Sequence, residues 1–237
     1  NQLCAKWMPR KGKIAVALRE FLGMSPKQYR KTLVRLTNVV ESKMCAKDWD
    51  NINFSHVPSL ASARYQKAFG RNAPEAYSTY LRELQKPQDQ RDPKVKINAG
   101  AVYPYDVVKS VTRGNPAVAD EQWKALPNYI GDAKMIPLID VSGSMTMPIT
   151  PNLSALDIAV SLGLYVSEKN QGEFKDTFLE FSSNSKMKLL RGTLSQRYSQ
   201  MTASHWMGST NLHSAFDEIL RIAVANDVSQ ADMPEKL

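Results

Sequence analysis

Apolar positions recur along this chain with two different periods, and the change from one to the other falls near residue 133. Before it the spacing is helical. Lys11–Leu22 predicts a short helix. Ser25-Pro26-Lys27-Gln28 is a start signal, with a capping serine, proline at the first helical position and glutamine three residues after the cap. From there Tyr29, Leu33, Leu36, Val40 and Met44 recur at steps of three and four, which predicts one stripe of about five turns. Lys27, Arg30, Lys31, Arg35, Lys43 and Lys47 fall largely off it. Asn72-Ala73-Pro74-Glu75 opens a further helix to about Gln85. The stretch KPQDQRDPKVK, residues 86–96, has two prolines and no periodicity and is expected as a loop. Helices are expected again near Pro104–Val111 and Asp120–Leu126. Short helices joined by turns predict a stacked-helix, HEAT-like arrangement, although no clean internal repeat is present.

Beyond Ala133 the pattern is of α/β type. Lys134–Val141 reads as a strand, and Leu153–Lys169 as a helix turning Leu156, Ala159, Val160, Leu164 and Val166 toward a sheet. Thr177–Phe181 and Met187–Leu190 read as two short strands. Asn211–Ala225 reads as a helix with Leu212, Ala215, Phe216, Ile219, Leu220 and Val224 on one face. This order predicts an open, Rossmann-like sheet with helices on both faces. Two domains are therefore expected, a helical one over 1–133 and an α/β one over 134–237.

Composition narrows the class. Apolar residues make up 43% of the 237 and charged residues 23%, ordinary values for a soluble globular protein. No run approaches the roughly 20 apolar residues of a membrane span, and no signal peptide is evident. Cys4 and Cys45 form neither a disulfide framework nor a metal spacing. A cytoplasmic protein without a membrane partner is the expectation. The chain opens on Asn1 and closes on apolar Leu237, so it is expected to be a piece of a longer protein. Its net charge of +8 is uneven: residues 1–133 hold 22 Lys and Arg against 12 Asp and Glu, and residues 134–237 hold 9 against 11. A basic helical part favours phosphate backbones through counterion release, and a solvated helix surface has the same composition. Lys11, Lys13, Arg30, Lys31 and Arg35 are the candidate phosphate contacts.

The candidate chemistry lies in IDVSGSM, residues 139–145. Asp140, Ser142 and Ser144 leave the first strand at alternate positions, which in an extended loop turns all three the same way, with Gly143 freeing the backbone to curl. Ligands of open α/β sheets sit at this edge. One carboxylate and two hydroxyls are hard oxygen donors suited to Mg²⁺ or Mn²⁺. A nucleophile elbow needs G-x-S-x-G, an aspartyl-phosphate enzyme wants a second acid where Ser142 stands, and a phosphate loop needs more glycines and a lysine. A plain Ser/Gly turn stays open as the alternative. Further on, HWMGSTNLHSAFDEIL places Gly208-Ser209-Thr210-Asn211 just before a helix, so Thr210 would bring a third hydroxyl to the same edge.

Together D-x-S-x-S, the later G-S-T and the intervening β-α-β-β order resemble the von Willebrand factor A (vWA) domain with its metal-ion-dependent adhesion site (MIDAS), over residues 134–237. The resemblance implies that Ser142, Ser144 and Thr210 touch the metal and that Asp140 binds it through water. It also implies a fifth ligand, an aspartate ending the next central strand, which would fall beyond Leu237; Asp232 precedes that strand and does not replace it. The segments CAKWMPRKGK, LGMSPKQYRKTLVRLTNVVESKMCAKDWDNINFSHVPS, YQKAFGRN, KINAGAVYPYDVV and QWKALPN, running into IPLIDVSGSM, resemble uncharacterised cytosolic proteins related to the Ro/TROVE family. That likeness implies RNA binding by the helical part.

The expectation is thus a non-enzymatic binding protein that holds Mg²⁺ or Mn²⁺ and offers a basic surface to RNA. The alternative is an adaptor whose metal captures an acidic residue of a protein partner. Metal-assisted hydrolysis is weakest, since no general base or activated nucleophile stands beside the set. A surface or packing role is the first expectation for His205 and His213, ahead of lining the metal face, and packing is the first expectation for Trp206, Trp7, Trp49 and Trp123. Tyr103 and Tyr105 with Lys109 and Arg113 form an aromatic-basic cluster.

Overall fold

The computed structural model describes residues 2–113, 116–203 and 211–237. It is a helix-rich protein with a small mixed sheet.

Helices α1 (Gln2–Trp7), α2 (Gly12–Phe21) and α3 (Pro26–Leu36) close on a small core of Ala5, Ala15, Tyr29 and Leu33. The expected cap of α3 is present: Gln28 N donates to Ser25 Oγ at 3.3 Å, and Ser25 N donates to Gln28 Oε1 at 2.8 Å. The single five-turn stripe expected from Tyr29 to Met44 is not formed. The chain leaves the helix at Thr37, whose ψ is 102° and whose hydroxyl bonds back to Leu33 O at 2.7 Å, and it re-enters one at α4 (Val40–Cys45). Thr37, Asn38 and Val39 combine a competing side-chain acceptor or donor with β-branching, so the helix is weakest there. Tyr29 and Leu33 accordingly serve the first core, whereas Val40 and Met44 serve a second.

That second core is aromatic. Phe54 meets Phe69 of α5 (Ser59–Asn72) and Tyr77 and Tyr80 of α6 (Pro74–Leu84), with ring centroids at 5.3, 5.0 and 5.4 Å. Residues 86–96 form neither helix nor strand, as their prolines predict. Helices α7 (Pro104–Arg113) and α8 (Pro116–Lys124) then turn toward the sheet.

The sheet begins with β1 (Leu138–Ile139). A short antiparallel hairpin, β2 (Pro148–Thr150) and β3 (Leu153–Ser154), leads into α9 (Ala155–Lys169). Next come β4 (Thr177–Glu180), β5 (Met187–Leu189), α10 (Leu194–Thr202) and α11 (Leu212–Ala225). The strand order is β1-β4-β5, with β1 and β4 parallel and β4 and β5 antiparallel. On the other side of β1, Met135 bridges Lys236 in parallel, and Ile136 N donates to Lys236 O at 3.1 Å. Strand β1 thus pairs with β4 on one side, and the segment just before it makes one parallel bridge to the later residue Lys236 on the other. The strand expected over Lys134–Val141 pairs only piecewise: Lys134 and Ile136 bond to Lys236 on one side, while Pro137 and Ile139 accept the amides of Leu179 and Phe181 on the other, Pro137 having no N–H to give in return.

Alternate strand residues face opposite layers. Ile139 and Phe178 join Val160 and Leu164 of α9, together with Val107, Val108, Ala119 and Trp123 of α7 and α8 and Met201 of α10. This core draws on both sides of residue 133. Leu138 and Leu179 face the other way, onto Ala215, Ile219 and Ala223 of α11. The apolar face expected for α11 is split: Leu212, Phe216, Leu220 and Val224 are exposed, while Ala215, Ile219 and Ala223 are buried. Alanines bring the helix closer to the sheet than a row of large side chains allows, and that packing selects the face. Among the described residues no helix is long and apolar enough to cross a membrane.

Candidate metal centre and basic groove

The site loop grows out of the core. Ile139 is buried against Gly163 of α9, where an added Cβ would come within 2.6 Å of Ile139 Cδ1. Glycine there lets α9 lie tight beneath the end of β1 and fixes where the next residue emerges. Asp140 is half-buried, and its Oδ1 accepts the Ser142 amide at 2.8 Å in an Asx turn. Ser142 has extended backbone, φ −61° and ψ 160°, and precedes a 3₁₀ turn over Gly143–Thr146. Met145 N donates to Ser142 O at 3.0 Å, and Thr146 Oγ1 donates to Gly143 O at 2.6 Å. The turn brings Ser144 back beside Ser142, so the two hydroxyl oxygens lie 2.9 Å apart.

Two expectations are corrected here. A 3₁₀ turn, not an extended loop, aligns the two hydroxyls. Gly143 is also not needed for its conformational freedom: its φ lies outside the left-handed range, and a Cβ there would meet nothing within 4 Å.

Thr210, Gly208, Ser209, His205 and Trp206 lie outside the described residues. Asn211 caps α11, accepting the Ser214 amide at 3.2 Å, and Ser214 Oγ accepts the amide of Ser185, in the loop leaving β4, at 2.9 Å. Because β1 and β4 run parallel, that loop is at the same sheet edge as Asp140. Asp232 sits at the opposite edge, 2.9 Å from Lys134 Nζ ahead of β1. His213 is exposed, with Nε2 3.4 Å from Asp217 one turn along the helix. Among the described residues no three His, Cys, Asp or Glu side chains converge on a metal position. The candidate donor set is one carboxylate with neutral hydroxyls. Two hydroxyls that share a hydrogen bond at 2.9 Å can both turn their lone pairs to one hard cation, so the set fits Mg²⁺ or Mn²⁺.

The basic positions separate. Lys11 and Arg30 line a groove of about 630 Å³ between α2 and α3, together with Arg10, Arg19 and Lys27. Its floor is Ala15, Pro26, Tyr29, Leu33 and Val34. Lys13, Lys31 and Arg35 are exposed but do not line it. Sequence reading missed Arg10 and Arg19 and did not single out Lys27. The signal was present: positions 11, 15 and 19 step by four and 27, 30 and 34 by three and four, so each set shares a helix face.

The aromatic positions also separate. Trp123 is buried, its Nε1 donating to Glu168 Oε2 at 2.8 Å, and Trp49 packs on the aromatic core. Trp7 is 77% exposed, with Lys6 Nζ 5.7 Å from its ring centroid. Tyr103 and Tyr105 stack at 5.6 Å, while Lys109 bonds Asn152 O in the β2–β3 turn. The Arg113 side chain is outside the described ones.

A family model described as a domain of unknown function, DUF2828, matches residues 9–134. The chain belongs to that family. A second model, the domain of unknown function DUF7788, matches residues 134–237. An uncharacterised protein of Acanthamoeba polyphaga mimivirus is 28% identical to this DUF2828 member, over 99% of this chain and 44% of its own. The chain thus spans less than half the length of that relative. No solved structure matches it.

Proposed function

We propose that this chain is a non-enzymatic binding protein with two recognition elements, a divalent-cation site and a basic helical surface. Asp140, Ser142, Ser144 and Thr210 hold Mg²⁺ or Mn²⁺ in a vWA-like, MIDAS-type arrangement. The observation that carries this reading is the position of the Asp140–Ser144 loop. It leaves the carboxyl end of β1, which pairs in parallel with β4 on one side while the segment before it bridges Lys236 in parallel on the other, and a change of strand order of that kind is where open α/β sheets bind ligands. The paired hydroxyls of Ser142 and Ser144 support it as donors. With one carboxylate among the four, the set leaves much of the cation's charge uncompensated, and an acidic group from outside completes the shell. The basic surface of the first helices takes RNA, in the manner of the Ro/TROVE relatives that the sequence resembles. In the adaptor alternative the metal captures a partner protein's Asp or Glu and the basic surface is incidental.

Mn²⁺ titration followed by electron paramagnetic resonance tests the metal site. Wild type should bind stoichiometrically, and Ser142→Ala, Ser144→Ala and Thr210→Ala should each weaken binding at least about tenfold, as loss of one ligand does. Unchanged Mn²⁺ affinity in all three variants overturns the site. RNA affinity that is indifferent to EDTA and sensitive to salt supports two separate elements; loss of RNA with EDTA overturns their separation.

A further inference from the structure

The net charge of the whole chain resides in its first 36 residues. They hold nine Lys and Arg against one acid, Glu20, while the other 201 residues hold 22 of each sign. Helices α1, α2 and α3 arrange five of those nine cations around one groove. Arg10, Lys11 and Arg19 lie along one wall and Lys27 and Arg30 along the other, with no carboxylate lining it. The ion pairs found among the described residues involve other cations. The rest of the lining is apolar, with Pro26 and Val34 exposed and Ala15, Tyr29 and Leu33 buried beneath the surface.

We infer that this groove is a binding channel for a single strand of nucleic acid, which takes the RNA reading above as its basis and narrows it to one place and one form of ligand. Cations of one sign on both walls match a backbone with one charge per nucleotide and release its counterions. The floor decides between one strand and two. An unpaired strand can lay base faces on exposed Pro26 and Val34 while its phosphates meet the walls. A duplex keeps its bases stacked inside, so it would press only solvated phosphates against an apolar floor and lose hydration without return. Of the two macromolecular anions that suit a basic apolar patch, a concave channel with its charge on the walls fits a strand better than the flat face of a membrane.

The test uses the full 237-residue chain, a fluorescein-labelled 20-nucleotide oligo(U), and two triple variants of equal charge change. Lys11→Glu/Lys27→Glu/Arg30→Glu alters the groove, and Lys13→Glu/Lys31→Glu/Arg35→Glu alters the same two helices outside it. All six positions are exposed, and circular dichroism checks that both variants keep their helices. Fluorescence anisotropy should show the groove triple binding at least about tenfold weaker and the outer triple less than about threefold weaker. The slope of log affinity against log salt should fall by about 2 in the groove triple, three lost contacts on a single strand. A milder triple, Lys11→Gln/Lys27→Gln/Arg30→Gln, should reproduce the same order if the charge reversal disturbs folding. Equal losses in the two Glu triples overturn the groove while leaving RNA binding intact. A 20-base-pair RNA duplex bound as tightly as oligo(U), or binding only to phosphatidylserine vesicles, overturns the single strand. No oligo(U) binding by wild type overturns the RNA reading itself together with the groove.

Discussion

The first three helices and the layers around the sheet differ in how much they bury for the charge they carry. Among the described residues α1, α2 and α3 enclose four buried apolar side chains beneath nine cations. The sheet, α7, α8, α9 and α10 share a core of sixteen in a part that is close to neutral beyond residue 133. Like charges crowded over a small core repel one another and lower the local stability, and the same crowding raises the attraction for a polyanion. The site loop has the opposite setting. Its candidate side chains, Asp140, Ser142 and Ser144, project from a turn that follows buried Ile139, as loops on rigid scaffolds commonly do. On the proposed function, one region recognises by field and the other by fixed geometry.

The largest way to break that contrast is in the core itself. Phe178 is fully buried between the sheet and α9, and Phe178→Ala should cost about 3–5 kcal/mol of global stability in urea denaturation. Leu33→Ala in the small core should cost about 2 kcal/mol, with hydrogen exchange accelerating in α1–α3 and not in α9. Acceleration spread evenly over both regions would show a single cooperative unit.

A smaller change should separate stability from site geometry. Gly163→Ala sets a methyl group against Ile139, the residue before Asp140, at a nominal 2.6 Å. Overpacking of about 1–3 kcal/mol is partly offset by the roughly 1 kcal/mol that alanine gains over glycine in a helix. The melting temperature should therefore move little, while Mn²⁺ affinity falls several-fold because Asp140 and Ser142 are displaced. Full Mn²⁺ affinity in this variant would show that the loop is independent of the packing beneath it.

The smallest effect concerns α11. Hydrogen bonds from Arg221, at 2.7 and 3.0 Å, hold the buried Glu218 carboxyl below its ordinary range, with the Met187 amide and Lys186 acting in the same sense. A carboxyl whose folded pKa is depressed stabilises the fold above its unfolded value near 4.5, and that contribution is lost as pH falls through the folded value. Glu218→Gln should lower the melting temperature by about 2–4 °C at pH 7, and the gap should close toward pH 3. A gap that persists in acid would assign the loss to packing.

Local signals were legible wherever a hydrogen bond within a few residues decides the structure. The Ser25–Gln28 cap, the proline-rich loop at 86–96, the strand order β1, α9, β4, β5 and the start of α11 at Asn211 could all be read from the chain. A Thr193–Gln196 capping box announced α10 in the same way and was passed over. Asp140, Ser142 and Ser144 were legible as a candidate chemical set, since residue type and spacing single them out. What the sequence alone left undecided depends on distant partners. The Tyr29–Met44 stripe is continuous in spacing, yet two separate cores divide it at Thr37. The apolar side of α11 is broad, and the sheet chooses its alanine face. Arg10, Arg19 and Lys27 look like any solvated cations until the fold of the first three helices brings them to one groove. Hydrogen bonds between near neighbours are set by the chain's own order. Which apolar face is buried, and which charges end up facing one another, is set by the approach of segments far apart in that order, and only the tertiary structure supplies it.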